Sequence, residues 1–151
     1  MVVDLKTGQA RRLLADHPST KVEPGAEIVV DGMKIIDPKT GKAPEFHADA
    51  IAFDKKGGWL YYHALTGVTL YRIKTEPLRD ETLSPAQLGG KVEKLAKTPK
   101  PDGMLEAPDG SVYLTAFEKN AIVHFDPDTR KVTTIIADEL IAVAGHPRVG
   151  T

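Results

Sequence analysis

The sequence contains no cysteine, which excludes disulfide bonds, thiolate metal ligands and a cysteine nucleophile. It also has no apolar run that approaches the roughly 18 residues needed to span a bilayer. Neither sign of charge is in excess, because 20 Lys and Arg residues and 21 Asp and Glu residues give a net charge of −1. We therefore expect no nucleic-acid partner and no membrane partner, since both favour a strongly basic surface.

Several motifs that identify a common chemistry are missing as well. The sequence has no nucleophile elbow, no zinc-protease helix motif, no phosphate-binding loop and no dinucleotide fingerprint. Residues 1–6 have neither the basic region nor the apolar region of a signal peptide, so we predict no export signal in them. The missing cysteines leave the compartment open. With 151 residues, the chain is long enough for one globular domain with a core.

What the sequence does contain is a repeat. Residues 101–117 read as a strand, a tight turn and a second strand, and a weaker copy lies at residues 49–63. The two copies align without gaps at an offset of 53 residues, because Asp102 matches Asp49 and 102 minus 49 is 53. Each copy is followed by two further strand patterns, so the sequence predicts two four-stranded units. The predicted strands are 50–53, 59–64, 69–73 and 91–96 in the first unit, and 103–107, 112–117, 121–126 and 131–137 in the second.

The N-terminal segment repeats the end of the second unit. Residues 2–14 and residues 125–136 both contain a polar turn between two short strands, and Asp4 matches Asp126. We therefore interpret the N-terminal segment as the last two strands of a unit whose first two strands are absent.

Two local signals lie outside the repeated strands. Asp31-Gly32 is a strong two-residue turn signal, because both positions favour a positive φ. It predicts a hairpin over residues 27–36, as an excursion on the face of the main fold. Ser84 followed by Pro85 predicts the start of a helix between the third and fourth strands of the first unit.

Four short antiparallel strands per unit, at a period near 50 residues, are typical of β-propeller blades. The predicted fold is all-β: a single partial β-propeller domain over residues 1–151, with two full four-stranded blades and part of a third. Residues 1–48 hold the partial blade and the hairpin, 49–101 and 102–137 the two blades, and 138–151 the start of the next blade or a tail. Open blade edges expose unpaired backbone groups. We therefore expect either a fragment of a longer protein or a homodimer that completes the propeller.

Several segments together carry a family resemblance: residues 49–52, 59–62, 65–73, 78–80, 83–84, 91–93 and 102–104. In these segments the sequence resembles the bacterial members of the major royal jelly protein/Yellow family, and residues 2–14 fit the preceding blade of that family. The resemblance implies a six-bladed propeller that binds a small aromatic or amine-like ligand, or a dopachrome-converting isomerase. Proteins of this family are often secreted or periplasmic.

The sequence also resembles the related SMP-30/gluconolactonase propellers, with their NHL-like repeats, most clearly at residues 101–104. This second resemblance implies a lactone hydrolase with a divalent cation, usually Ca²⁺, at the top of the central channel. In those enzymes an Asn begins one inner strand and an Asp the next; both bind the metal, and the Asp also transfers a proton. Asp49 and Asp102 occupy these positions, so the resemblance makes both of them metal ligands and Asp102 the catalytic base.

Asp49 and Asp102 precede the inner strands of adjacent predicted blades, so we expect both carboxylates at the mouth of the channel. Three interpretations stay open. The carboxylates bind a cation, although Ca²⁺ takes six to eight oxygen ligands; they form an acid–base pair; or each binds local backbone amides. His47, in the loop at the same mouth, is a further ligand-binding candidate, with metal binding, proton transfer and a loop hydrogen bond as its alternatives.

The remaining histidine and aromatic candidates have a structural interpretation. We predict packing roles for side chains inside strands, namely Trp59, Tyr61, Tyr62, His63, Tyr113 and His124. Phe117, Glu118 and Asn120 follow a strand, and we predict that they form a solvated turn at the opposite end of the blades or on the rim.

Three functional hypotheses follow. The first is a propeller module that binds a small-molecule ligand at the channel mouth through His47, Asp49 and Asp102. The second is a calcium-dependent, lactonase-like hydrolase with Asp102 as the base. The third is a non-catalytic fragment or assembly piece.

Overall fold

The computed structural model describes residues 1–141; residues 142–151, which include most of the segment predicted to begin another blade or form a tail, lie outside the described residues. The strands are β1 (Val2–Val3), β2 (Ala10–Arg11), β3 (Val29–Val30), β4 (Met33–Lys34), β5 (Ala48–Asp54), β6 (Trp59–Ala64), β7 (Thr69–Lys74), β8 (Glu93–Lys97), β9 (Pro101–Glu106), β10 (Val112–Ala116), β11 (Ala121–Asp126) and β12 (Lys131–Ala137). The helices are α1 (Thr75–Arg79) and α2 (Pro85–Gly89), with 3-10 turns at Pro18–Thr20, Phe117–Lys119 and Glu139–Ile141. Within residues 1–141, no helix has the length and hydrophobicity of a membrane span.

Eight strands form two four-stranded antiparallel sheets, each with its strands in sequence order. The first blade consists of β5–β8 and the second of β9–β12. The bounds of β6, β11 and β12 coincide with the predicted ones, and the other strands of the blades differ by one or two residues at their ends. The prediction of an all-β fold with two four-stranded blades is confirmed.

The main core lies between the two blades. Successive side chains of a strand point to opposite faces of a sheet, so Tyr61 packs toward the second blade and its neighbour Tyr62 packs away from it. Full burial of a large apolar side chain contributes about 1.5–3 kcal/mol, and the residues between the blades therefore hold the two sheets together. The buried residues are Ala52, Tyr61, Leu70 and Leu95 from the first blade, and Val112, Leu114, Ala116, Ala121, Val123 and Phe125 from the second.

The inner strand of each blade contains a β-bulge, in which two residues stand opposite one. In β5, Asp49 and its successor stand opposite His63 of β6. In β9, Asp102 and its successor stand opposite Thr115 of β10. The repeat recognised in the sequence therefore extends to an irregularity of the backbone at the same two aspartates.

The outer strands share a second bulge, at Leu95 in β8 and at Ile135 in β12. These two residues are 40 positions apart (135 minus 95), whereas the inner-strand aspartates are 53 apart. The offset shrinks because the first blade carries α1 and α2 between β7 and β8, where the second blade has only the tight turn at residues 127–130.

The two helices cover the face of the first blade that points away from the second. Leu78 of α1 and Leu88 of α2 are buried against Tyr62. The helix start predicted at Ser84 is confirmed: its hydroxyl accepts the Gln87 N–H (3.3 Å), and the Gln87 side chain accepts the Ser84 N–H (2.9 Å), which is a capping box. Helix α1 was not predicted, and it has no side-chain N-cap that would mark its start.

Strands β1 and β2 form the outer half of a blade. They pair in the register that β11 and β12 use, at a constant offset of 122 residues, so that Val3 corresponds to Phe125. Asp4 and Asp126 occupy the same place in the two turns, and each accepts N–H groups from the residues that follow. Val2 packs against the first blade. Strands β1 and β2 therefore correspond to the third and fourth strands of a blade.

The hairpin of β3 and β4 turns at Asp31 (φ 51°) and Gly32 (φ 76°), the positive values that a two-residue hairpin loop requires. Its strands contain two residues each, fewer than predicted. Ile28 and Val30 pack against Phe117, at the start of the 3-10 turn that follows β10. The hairpin therefore covers the blade ends at which β9 begins.

Candidate functional site

The candidate site lies at the end of the blades where β5 and β9 begin, which we call the mouth. The two inner strands lie side by side, and Asp49 and Asp102 are the bulged residues at their starts. A bulge breaks the ladder of hydrogen bonds locally, and both aspartates are exposed. The structure therefore brings both predicted aspartates to the same end of the molecule.

The bulge at Asp102 is held by Thr115. Its hydroxyl accepts the N–H of Gly103 (2.8 Å) and donates to the carbonyl of the same residue (3.3 Å). These bonds satisfy the backbone groups that the bulge takes out of the ladder, without using the Asp102 carboxylate.

Asp49 and Asp102 differ from three aspartates in the turns of this chain. Asp4, Asp109 and Asp126 each accept backbone N–H groups of nearby residues. Hydrogen bonds lower the pKa of each carboxyl, chiefly from the backbone N–H of Thr7 at Asp4, and from the side chains of Ser111 at Asp109 and Thr129 at Asp126, with backbone N–H groups next. Among residues 1–141, no hydrogen bond reaches the carboxylate of Asp49 or of Asp102. Within residues 1–141 no backbone amide therefore binds either carboxylate, and the choice among the three interpretations left open by the sequence stays a prediction.

An apolar cavity of about 190 Å³ lies beside Asp102. Its wall combines residues of the β3–β4 hairpin region, of the loop before β5 and of the 3-10 turn after β10. Among the described residues that line it, Asp102 is the one charged side chain. The other lining residues are Ile28, Ile35, Pro44, Phe46, Leu65 and Phe117.

A second cavity, of about 170 Å³, touches Asp102 from another side and includes Thr115 and Ile141. Phe117 belongs to both cavities. Asp102 and Phe117 therefore stand between two small spaces at the mouth.

Asp49 lines a different cavity, also of about 190 Å³, whose wall includes Val2, Ile51 and Tyr62. The two aspartates thus share the mouth but not a cavity. Within residues 1–141, no group of three or more His, Cys, Asp or Glu side chains is close enough to hold a metal ion. Ca²⁺ takes six to eight oxygen ligands, so Asp49 and Asp102 do not by themselves fit a complete calcium site. The calcium site stays a prediction.

His47 lies at the mouth and holds the loop in place. Its Nδ1 accepts the N–H of Val22 (3.3 Å), and its carbonyl accepts the N–H of Leu65 (3.1 Å). The neighbouring Phe46 donates its N–H to Thr66 (3.2 Å). These contacts agree with the loop hydrogen bond among the alternatives for His47, and they place Phe46 in the wall of the Asp102 cavity.

The prediction for Phe117, Glu118 and Asn120 is wrong. Because β10 runs antiparallel to β9, the end of β10 lies at the mouth and not at the opposite end. Phe117 is buried, and Glu118 forms a largely buried ion pair with Lys100 (2.8 Å). Glu118 also accepts the N–H of Val29 (2.7 Å), so the pair ties the hairpin to the second blade. No local signal in the sequence links Lys100 with Glu118, because their contact depends on which loops meet at the mouth.

A buried polar group lies beneath the mouth in the first blade. His63 is fully buried; its Nδ1 contacts the Ala64 carbonyl (2.6 Å) and its Nε2 contacts the Thr98 hydroxyl (2.9 Å). Burial lowers the pKa of His63. The packing roles predicted for Tyr61, Tyr62 and His63 are confirmed by their burial.

Glu23 reaches the same region from the loop before the hairpin. Burial raises the pKa of Glu23, but hydrogen bonds from Thr69 and from backbone amides, including Val68 (3.2 Å), outweigh it, so the pKa is lowered. The second carboxylate oxygen of Glu23 is buried without a hydrogen-bond partner among the described residues.

The repeated sheets, their shared bulges and the face-to-face packing define a β-propeller, of which this chain supplies two blades and half of a third. The chain belongs to the major royal jelly protein family, whose model matches residues 1–141. This family membership confirms the resemblance seen in the sequence. No curated protein matches the sequence.

Solved structures that the chain resembles have low sequence identity to it. A nidogen/laminin complex is 17% identical, with 74% of this chain and 37% of that chain covered and a TM-score of 0.46. A calcium-binding protein, regucalcin from Agrobacterium tumefaciens, is 18% identical over 78% of this chain and 42% of its own, with a TM-score of 0.43. Virginiamycin B lyase from Staphylococcus aureus is 15% identical, with 66% of this chain and 32% of that chain covered and a TM-score of 0.41. The chain thus spans less than half the length of each of these proteins.

Proposed function

We propose that this chain is a small-molecule-binding propeller module whose ligand lies at the mouth with its cationic group against Asp102. The observation that carries the proposal is the Asp102 carboxylate itself. It stands in an otherwise apolar cavity wall, in a bulge held by other groups, and receives no hydrogen bond from residues 1–141. A carboxylate placed in this way favours a ligand with a positive charge.

The shape and lining of the cavity favour an aromatic amine. Phe46 and Phe117 supply aromatic surface for stacking with a ring and for contact with a cation. An apolar cavity of roughly 150 Å³ holds a benzene molecule, so about 190 Å³ suits one aromatic ring with a short side chain. This ligand class agrees with the expectation from the family resemblance.

Isothermal titration calorimetry with 2-phenylethylamine tests the proposal. We expect binding to the wild type and an affinity at least about 10-fold lower for Asp102→Asn, since a hydrogen bond to a charged group contributes about 1.5–3 kcal/mol. The matched control is Asp128→Asn, which removes an exposed aspartate in the turn after β11 and leaves the affinity unchanged. Equal binding to both variants, or tighter binding of the anionic analogue 3-phenylpropanoate, would contradict the proposal.

The calcium-dependent hydrolase and the non-catalytic assembly piece remain the competing hypotheses. Titration with calcium chloride separates them. Calcium binding that disappears in Asp102→Ala would favour the hydrolase, with the missing ligands coming from beyond residues 1–141. Binding of neither calcium nor the amine would favour the assembly piece.

A further inference from the structure

The hairpin of β3 and β4 belongs to the sheet of neither blade. Among residues 1–141, its two strands pair only with each other, and each strand contains two residues. An isolated two-stranded hairpin is at best marginally stable in water. The position of this hairpin at the mouth therefore depends on its contacts with the second blade.

Two contacts hold the hairpin against the second blade. The first is apolar, because Ile28 and Val30 pack on Phe117. The second is polar: Oε1 of Glu118 accepts the N–H of Val29 (2.7 Å). Among the hydrogen bonds within residues 1–141, this is the one that joins residues 27–36 to a blade. The Glu118 carboxylate therefore fixes where the hairpin lies over the mouth.

The Glu118 carboxylate is itself held in one place. The ammonium group of Lys100 donates to both of its oxygens, at 3.0 Å to Oε1 and 2.8 Å to Oε2. The side chains of Lys100 and Glu118 are only 10% and 18% exposed, so salt and water screen the pair little. Because charge-assisted hydrogen bonds are roughly twice as strong as neutral ones, Lys100 fixes the carboxylate that meets Val29.

The bond between Val29 and Glu118 adjoins two walls of the Asp102 cavity. Ile28 precedes Val29 and Phe117 precedes Glu118, and both of these apolar residues line the cavity. The bond therefore sets the separation of the hairpin wall from the blade wall. Glu118 is not a lining residue, so it acts on a ligand only through its neighbours.

We infer that Glu118 is the positioning residue that limits the Asp102 cavity to amines with a single aromatic ring. To the proposed function, on which this inference rests, Glu118 adds a limit on ligand size. A cavity of about 190 Å³ is little larger than the roughly 150 Å³ that holds benzene. A second fused ring overfills it and displaces the surrounding side chains and backbone. A two-ring amine therefore enters only if Ile28 moves away from Phe117, which breaks the bond between Val29 and Glu118.

Isothermal titration calorimetry with two amines tests the size limit. The amines are 2-phenylethylamine and 2-(1-naphthyl)ethylamine, which carry the same ammonium group on one ring and on two. In the wild type we expect the two-ring amine to bind at least about 10-fold more weakly. In Glu118→Ala we expect the ratio of the two affinities to fall to about 3-fold or less, because no hydrogen bond then opposes the displacement of the hairpin.

Two matched variants separate positioning from stability. Glu118→Gln keeps an oxygen that accepts the Val29 N–H but removes the negative charge beside Lys100, so we expect lower stability with the affinity ratio of the wild type. Glu27→Ala removes the carboxylate of an exposed ion pair with Lys34 (2.8 Å) in the same hairpin, and it should also keep the ratio. Circular dichroism verifies that each variant is folded.

Hydrogen exchange of the Val29 amide, followed by NMR without any amine, tests the positioning independently of ligand binding. We expect exchange at least about 10-fold faster in Glu118→Ala than in the wild type, because the amide loses its acceptor and the hairpin opens locally. In Glu27→Ala the Val29 amide should exchange as in the wild type.

Three results would overturn the inference. The first is a wild type that binds both amines equally well. The second is an affinity ratio in Glu118→Ala that equals the ratio of the wild type. The third is exchange of the Val29 amide that is unchanged in Glu118→Ala. If the wild type binds neither amine, the proposed function fails, and the exchange of Val29 alone then decides whether Glu118 positions the hairpin.

Discussion

The two blades have the same backbone plan but are covered differently. They share strand order and both bulges, yet within residues 1–141 the first blade is packed on two faces and the second on one. The second blade covers one face of the first, and the half blade with α1 and α2 covers part of the other. The second blade leaves Leu105 69% exposed on its free face. The repeat therefore determines the strand order and bulges of each sheet, whereas neighbouring segments determine how much buried surface each sheet contributes to stability.

The largest expected effect concerns the face that both blades share. Phe125 is fully buried between the blades, and we expect Phe125→Ala to lower the free energy of unfolding by about 3–5 kcal/mol because it leaves a cavity. Its neighbour His124 lies on the free face, edge-on to Tyr113 (5.2 Å). His124→Ala should lower the free energy of unfolding by only about 1 kcal/mol. Urea unfolding of both variants measures the difference, and equal losses would contradict the assignment of the faces.

The second effect concerns the Lys100–Glu118 ion pair at the mouth of the second blade. Lys100→Ala leaves Glu118 largely buried without its cation, and we expect a loss of about 1–3 kcal/mol in the free energy of unfolding. Lys34→Ala breaks the exposed pair with Glu27 (2.8 Å) and should cost less than about 1 kcal/mol. Chemical denaturation compares the two variants. If the two losses were the same, the mouth pair would have no special structural role.

The third effect is specific to the first blade. There His63 lies opposite the bulge of the inner strand, the position that Thr115 occupies in the second blade. Burial lowers the pKa of His63 below its ordinary 6.5, so the unfolded chain binds the proton more readily than the folded chain does. Stability is therefore full above pH 6.5 and falls as the pH drops below it, by up to about 1.4 kcal/mol per pH unit. Unfolding measured between pH 7.5 and 5.5 should show this slope in the wild type.

His63→Gln is the matched variant for this pH dependence. It keeps a polar side chain at the position but removes the titrating group. A slope that persists unchanged in His63→Gln would assign it to another group. Glu23, whose pKa is also lowered, acts only at more acidic pH, since its ordinary value is 4.5.

The smallest effect concerns the helical insertion of the first blade. Ser84→Ala removes the hydroxyl of the capping box, and we expect a loss of about 1 kcal/mol in the free energy of unfolding. Ser84→Asp keeps an N-capping oxygen and should retain most of the stability. Thermal unfolding of the two variants distinguishes them, and an equal loss in both would show that the cap does not stabilise α2.

The sequence predicted what depends on local pattern. The bounds of β6, β11 and β12 follow from runs of strand-forming residues between turn signals, and the start of α2 follows from Ser84. The bulges at Asp49 and Asp102 were not predicted, because a bulge is a relation between two strands. The family resemblance located these aspartates at the mouth, but their separate cavities depend on packing.

The mouth shows the same limit of sequence reasoning. The Lys100–Glu118 pair, the cover provided by Ile28 and the cavity wall at Phe46 all join segments far apart in the chain. Their contacts depend on the paths of loops that contain few periodic signals. The site residues could therefore be named from the resemblance, whereas their surroundings required the structure.

The shared core that holds Tyr61 of the first blade and Leu114 of the second has a consequence for symmetry. The contact between blades is heterologous: one face of a blade meets the opposite face of the next, so the row of blades has a polarity. A heterologous contact repeated by rotation closes a ring when the rotations add up to a full turn. A further blade packed against Leu105 must therefore present the face that carries the equivalent of Leu114. A blade packed on the other side, next to β1, must present the face that carries the equivalent of Tyr61.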